Sequence, residues 1–188
     1  MQIDAIDNGY FPKIEAEYKL TDLDHIIDLF NKAWNEDVDN DNNFIEAIKI
    51  AEIIFDRMIE KINAKITANK MVEKEIPKVK DNILFLEEFM PYSEAIFESK
   101  LPEAKEIKVV ITPSNRGGYN IKPMTINKDS KELIVNYPKE LRGLHNEDLI
   151  NASGIKGARF IHISGFISAA EDLDSAYEMA KLLLENRE

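Results

Sequence analysis

The chain has 188 residues, and its 24 Lys+Arg against 35 Asp+Glu give a formal net charge of −11. That length suits one domain or two small lobes sharing a core, and 44% hydrophobic with 31% charged residues is an ordinary globular composition. Cysteine is absent, which excludes disulfides, thiolate metal sites and a cysteine nucleophile, while three histidines (His25, His145, His162) are too few for a histidine-rich cage.

The N-terminal part reads as helical. Thr21 and Asp24 form a weak capping box, and Leu23, Ile26, Ile27, Phe30 and Trp34 follow at helical spacing. Asp37-Val-Asp39-Asn-Asp41 has the alternating carboxylates that open a calcium loop. Its sixth position, however, is Asn42 rather than Gly and its twelfth is Ile48 rather than Glu, so the segment reads as a solvated linker. A long amphipathic helix is predicted from Asn43 to about Glu75, with Phe44, Ile48, Ala51, Phe55, Met58, Ile62 and Ile66 on one side, a possible break near Thr67–Asn69, and Pro77 stopping it. At 1.5 Å per residue it spans ~50 Å, the dimension of a connector or packing spine.

Beyond Pro77 the pattern changes to mixed strand and helix. Ile83–Leu86 and Ile107–Thr112 are short apolar runs, the second consistent with a strand buried on both faces. Pro113–Gly118 is a turn cluster and Tyr119–Ile126 has strand character, which predicts a hairpin; Arg116-Gly-Gly-Tyr within it reads as a turn before a phosphate loop. Leu133–Val135 is a candidate third strand. A short helix is expected over His145–Ala152, capped by Asn146 and ended by Gly154, then a strand over Ala158–Ser164 and a final helix over Asp172–Glu185. The fold class is α+β: a helical N-terminal segment, then a mixed α/β lobe, with the boundary near residue 80.

Charge is unevenly spread. Residues 1–60 hold 15 acidic and 5 basic side chains, whereas residues 100–159 hold 7 acidic and 11 basic. An anionic ligand therefore meets its friendlier field in the C-terminal half. No stretch approaches the ~20 apolar residues of a membrane span, and no basic-then-apolar leader opens the sequence, so no membrane partner is expected and the protein reads as cytoplasmic.

No P-loop, dinucleotide fingerprint or G-x-S-x-G elbow exists in the sequence. Asp4 and Asp7, beside Gly9, offer oxygen ligands of the kind Mg²⁺ or Mn²⁺ prefer, but two carboxylates do not complete a site. The most suggestive segment is Phe160-Ile-His162-Ile-Ser164-Gly165-Phe166. As a strand it puts Phe160, His162 and Ser164 on one face before a glycine turn into the last helix, where backbone N–H groups can meet an anion. Arg142, upstream, can supply a charged fork for phosphate. A buried His162, hydrogen-bonded within the core, is the competing reading.

These segments, in this order, resemble the Myg family (melanocyte proliferating gene), a branch of the DHH phosphoesterase superfamily. The likeness rests on Ile3-Asp-Ala-Ile-Asp-Asn-Gly9, Leu141-Arg-Gly-Leu144, Ala152-Ser-Gly-Ile-Lys-Gly157 and above all Ile161-His-Ile-Ser-Gly-Phe-Ile167. It spans essentially the whole chain but matches only the C-terminal half of a family member. The resemblance implies a metal-dependent nuclease acting from RNA 3′ ends, whose missing N-terminal half carries an Asp-His-His triplet and further metal-binding aspartates. Residues 1–80 are then the remainder of the metal lobe and a connector, with Asp7, and second Asp4, as candidate metal ligands. Residues 81–188 are the substrate-binding lobe, where Arg142 and Lys156 offer charge and His162, Ser164 and the Gly165 backbone offer hydrogen bonds. The implied chemistry is phosphodiester hydrolysis by metal-activated water, the implied cofactor Mn²⁺ or Mg²⁺, and the implied partners an RNA or nucleotide phosphate and an N-terminal catalytic half or subunit. Without that half the chain is expected to be inactive. The alternative is a non-catalytic nucleotide- or protein-binding module. The family's closing motif usually continues with two glycines, where this chain has Ser168-Ala169.

Overall fold

The structure, a computed structural model, describes residues 23–37 and 39–186. The opening carboxylates Asp4 and Asp7, and Thr21 of the capping box, lie outside the described residues. The chain divides into two compact units between Asn63 and Ala64.

Among its described residues the first unit is helical, as the 3.6-residue periodicity requires. Helix α1 spans Leu23–Asp28 and ends sooner than the apolar spacing predicts: Phe30 N and Asn31 N donate to the carbonyls of Ile27 and Asp28, and Trp34 lies beyond the helix, exposed. Asp28 helps end it, because its carboxylate accepts from the Asn31 side chain at 2.7 Å. Helix α2 spans Asn40–Glu75 without a break at Thr67–Asn69. Asp39 serves its start: Asp39 Oδ1 accepts from Asp41 N at 3.0 Å, the capping role of a linker carboxylate. Along α2 the apolar positions Phe44, Ile48, Phe55, Met58, Ile62 and Ile66 remain exposed, so the amphipathic pattern does not translate into burial there.

The second unit is built on a five-stranded sheet. Strand β1 is Ile83–Phe85, β2 Val109–Pro113, β3 Tyr119–Pro123, β4 Ala158–Ile161 and β5 Ser168–Ala170, in the order β1-β2-β3-β5-β4. The β1–β2 pair is parallel and the others antiparallel. Both faces are covered, which is why β2 reads as an unbroken apolar run. Ile83, Val109, Ile111 and Ile121 enter one core, closed by helix α5 (Leu173–Glu185), whereas Leu84 and Val110 enter the other with Val72 and Ile76. The last turns of α2 thus pack with the sheet, and a 3₁₀ turn at Ile76–Lys78, opened by Pro77, follows them. Each fully buried aliphatic side chain contributes about 1.5–3 kcal/mol relative to exposure. Across the sheet from α2's end, α5 buries Ala176, Met179, Ala180 and Leu183, the i, i+3, i+4, i+7 stripe of a core-facing helix.

Three local expectations need correction. Leu133–Val135 is not a strand: β3 ends at Pro123, and the following chain makes one isolated bridge, Thr125 to Leu133. Helix α3 spans Ser93–Glu98 and α4 Asn146–Ser153; Gly154 ends α4 in the left-handed conformation, but His145 holds the N-cap position and Asn146 sits inside at φ 50°. Strand β4 stops at Ile161, and β5 intervenes before α5, so the glycine turn leads into a strand and not into a helix. Between Ala158 and Phe160 the register slips, leaving Arg159 in a bulge that sends its Nη1 to the Gly117 carbonyl at 2.8 Å.

Asp172 caps α5, with Oδ1 accepting from Ser175 N at 2.8 Å and Oδ2 from Ser175 Oγ at 3.0 Å. The Ser175 backbone hydrogen bond, then the Ser175 hydroxyl, hold its carboxyl below the ordinary 3.8. A lowered folded-state value means the cap's contribution is complete above that pH and lost as pH falls through the folded value. Asp172→Asn is therefore expected to melt earlier than wild type at neutral pH. Its deficit should shrink below pH 3.8 in melting curves recorded across the acid range.

Candidate phosphate-binding groove

Two segments far apart in sequence meet at one end of the sheet. The first is anchored by Tyr137, fully buried, whose hydroxyl meets Ser168 Oγ at 2.6 Å; burial drives the phenol pKa far above its usual 10. A 3₁₀ turn over Lys139–Leu141 follows, with Leu141 in the core, and the chain emerges at half-buried Arg142. Arg142 Nε donates to the Tyr137 carbonyl at 2.7 Å. A guanidinium carries five N–H donors in one plane. This bond uses one and fixes the plane, which orients the terminal Nη groups as a fork for an oxyanion.

The second segment is the β4–β5 turn. His162 N donates to the Ile167 carbonyl at 2.9 Å and Gly165 N to the His162 carbonyl at 2.8 Å, closing a tight reversal. His162 is exposed, which overturns the buried-histidine reading. Its Nδ1 accepts the Ser164 backbone N–H at 3.2 Å and lies 2.8 Å from Ser164 Oγ. A backbone N–H can only donate, so Nδ1 is the bare nitrogen and the ring proton sits on Nε2, the outward donor. The His162 ring also meets Phe166 edge-on, with centroids 4.5 Å apart.

Between the segments lies a groove of about 800 Å³, lined by Lys131, Lys139 and Arg142, with Asn136, Ser164 and Phe166. Three cations face one lining carboxylate, Glu132, a local balance opposite to that of the whole chain. Of the residues singled out from sequence, Arg142 and Ser164 line the groove, and His162 and Gly165 shape the turn that forms its wall. Lys156 does not join them. It is exposed ahead of β4 and separated from the turn by that strand, roughly 13 Å of extended chain.

The glycine motif around Lys156 has a packing role. A Cβ at Gly157 would run into Asp172 and Ser175, the cap of α5. Ser168 and Ala169 lie inside β5, buried, and the Ser168 hydroxyl reaches Tyr137 and the Ile121 carbonyl. The departure from the family's glycine pair thus falls on the sheet interior. The close approach in this motif belongs to Gly165, where a Cβ would collide with the Asn136 side chain. Lys131, Lys139, Asn136 and Phe166 escaped the residue-by-residue reading, although the basic excess over residues 100–159 and the aromatic inside the closing motif were their signals.

The described residues do not fit a divalent metal: among them no three His, Asp or Glu side chains converge. Among the described residues, too, no helix is long and apolar enough to cross a membrane.

Comparison with known proteins sets these segments beside their relatives. The MYG1_exonuc family, described as an uncharacterised protein family (UPF0160), matches residues 1–184. A MYG1 protein of Saccharomyces cerevisiae is 29% identical over 202 residues, which cover 97% of this chain and 60% of the yeast protein. The human MYG1 exonuclease is 27% identical over 199 residues, 99% of this chain and 53% of the human one. A Dictyostelium discoideum MYG1 protein is 27% identical, with 95% of this chain and 59% of that protein covered. The chain thus spans roughly half to three-fifths of the length of these curated relatives. No solved structure matches it.

Proposed function

The chain belongs to the MYG1_exonuc family (UPF0160), and from that premise we propose that it is the C-terminal, substrate-binding portion of a DHH-superfamily exonuclease acting on RNA. Residues 81–188 form the lobe that grips the phosphate backbone, and residues 1–80 are the remainder of the metal lobe and the connector. The observation that carries this reading is the cationic groove. Lys131, Lys139 and Arg142 line it in a chain of net charge −11, beside a turn that presents a histidine N–H. Such a set neutralises and orients phosphate oxygens.

A divalent cation, Mn²⁺ or Mg²⁺, belongs to the complete enzyme. Asp7 and Asp4, its candidate ligands in this chain, lie outside the described residues, and the remaining ligands belong to the catalytic half. What the described residues contribute is binding: Arg142 holds one phosphate oxygen pair, His162 Nε2 donates to another oxygen while the Ser164 hydroxyl, donating to Nδ1, holds the ring, and the groove fixes which phosphodiester is presented. A second reading, a nucleotide- or protein-binding module without chemistry of its own, is favoured by the lack of a convergent metal-ligand cluster among the described residues.

The test is binding of a short oligoribonucleotide at fixed moderate salt. Arg142→Ala should bind about ten- to a hundredfold more weakly, the effect of losing a charge-assisted hydrogen bond of about 1.5–3 kcal/mol. Lys156→Ala, a charge change away from the groove, should bind within about threefold of wild type. Equal affinity of folded Arg142→Ala and Lys156→Ala would sink the groove as the phosphate site. Binding of a protein ligand that Arg142→Ala weakens, while oligonucleotide fails to bind, would establish the second reading.

A further inference from the structure

We propose that Phe166, braced by His162, is a stacking platform for a nucleobase, with that nucleotide's phosphate held by Arg142 in the adjoining groove. This deepens the phosphate-groove reading and rests on it. The sequence places an aromatic residue at the tip of a six-residue turn, where a phenylalanine gains little from burial: 47% of its surface is exposed. The ring is nonetheless held, because the His162 ring meets it at 4.5 Å and 61°. In an edge contact at least one face of each ring stays uncovered by the other, so the brace costs Phe166 no more than one π-face. His162 is in turn held by Ser164, through Nδ1 to the Ser164 backbone N–H and hydroxyl. The base platform and the His162 N–H donor are therefore set by one turn.

The groove supplies the second half of a nucleotide. Phe166, Ser164 and Arg142 line the same cavity, so a base on the ring leaves its phosphate among the cations. Stacking on an aromatic face is tolerant of base identity because every base has a π-face. That tolerance suits an enzyme that must accept whichever nucleotide comes next, and no base-edge donors or acceptors need be invoked.

The experiment titrates the full chain with two probes, a short oligoribonucleotide and ribose 5-phosphate, which carries phosphate and sugar but no base. Melting curves of every variant are recorded alongside. Phe166→Ala should weaken the oligonucleotide about ten- to a hundredfold and leave ribose 5-phosphate within about twofold. Phe166→Tyr, which keeps the ring, should restore the affinity, and Arg142→Ala should weaken both probes. If Phe166→Ala binds the oligonucleotide as wild type does while Arg142→Ala does not, the platform fails and the phosphate groove stands. If Phe166→Ala weakens both probes alike, its part is in shaping the groove, and the platform is overturned. If Arg142→Ala weakens neither, the phosphate reading fails and takes the platform with it.

Discussion

Gly118→Ala should destabilise the protein by about 3–4 kcal/mol, while Gly117→Ala, one residue earlier, should cost only about 1–2 kcal/mol. Both residues adopt positive φ, 78° at Gly117 and 71° at Gly118, in the turn joining β2 to β3. An alanine at either therefore pays the left-handed backbone strain. The environments differ. A Cβ at Gly117 meets nothing within 4 Å, whereas at Gly118 it runs into the Ala170 carbonyl oxygen. That obstacle is backbone, in the strand that pairs Tyr119 with Ala170, so it cannot rotate aside as a side chain could. Urea unfolding of the two single variants checks the difference, and equal midpoint shifts would show that the β3–β5 contact yields more easily than the geometry implies.

Gly165→Ala is the second large effect, and it falls on function as well as stability. Gly165 lies at φ 75°, and a Cβ there would overlap the Asn136 side chain. Asn136 is held from two sides: its Oδ1 accepts from Tyr137 N at 2.9 Å and its carbonyl accepts from Asn186 Nδ2 at 3.0 Å. The expected cost is about 2–3 kcal/mol, the left-handed strain plus a broken, partly buried hydrogen bond. Oligonucleotide affinity should fall at least about tenfold, because Asn136 and Ser164 are displaced from the groove wall together. The discriminating measurement is a double-mutant cycle with Asn136→Ala. Shortening Asn136 removes the collision and leaves the backbone strain, so the double variant should be more stable than the sum of the single changes predicts. Strict additivity would refute the clash.

The elements that could be read from the sequence are those whose determinants are local. Val109–Ile111 announce a doubly covered strand, Pro113–Gly118 a hairpin turn, and Asp172 the start of the last helix; all three stand in the structure. The errors arise where a local pattern continues past the pairing that gives it meaning. Alternation runs on through His162 and Ser164, but the ladder stops at Ile161, where the chain reverses to bring Ser168 alongside. Apolar spacing likewise continues to Trp34 although α1 ends at Asp28. Of the groove, Arg142, His162, Ser164 and Gly165 were legible because they sit in recognisable motifs. Asn136 was not, since its importance comes from a glycine 29 residues later. Lys156 lies away from the groove, and the glycine next to it makes room for a helix cap.

The strand order carries a consequence for how the protein is made. β5, the last strand to leave the ribosome, lies inside the sheet between β3 and β4, joining Ile121 to Ser168 across 47 residues of chain. Until Ser168–Ala170 emerge, β3 and β4 have no shared neighbour, the Tyr137 hydroxyl lacks its serine, and the turn bearing His162 has no second strand to close it. Long-range pairing of this kind is reached late in folding. A chain cut short before residue 168 lacks the strand that pairs with both β3 and β4. The wall of the groove is therefore among the last parts of the sheet to be set, since it closes only when Ser168 has joined Ile161 and Tyr137.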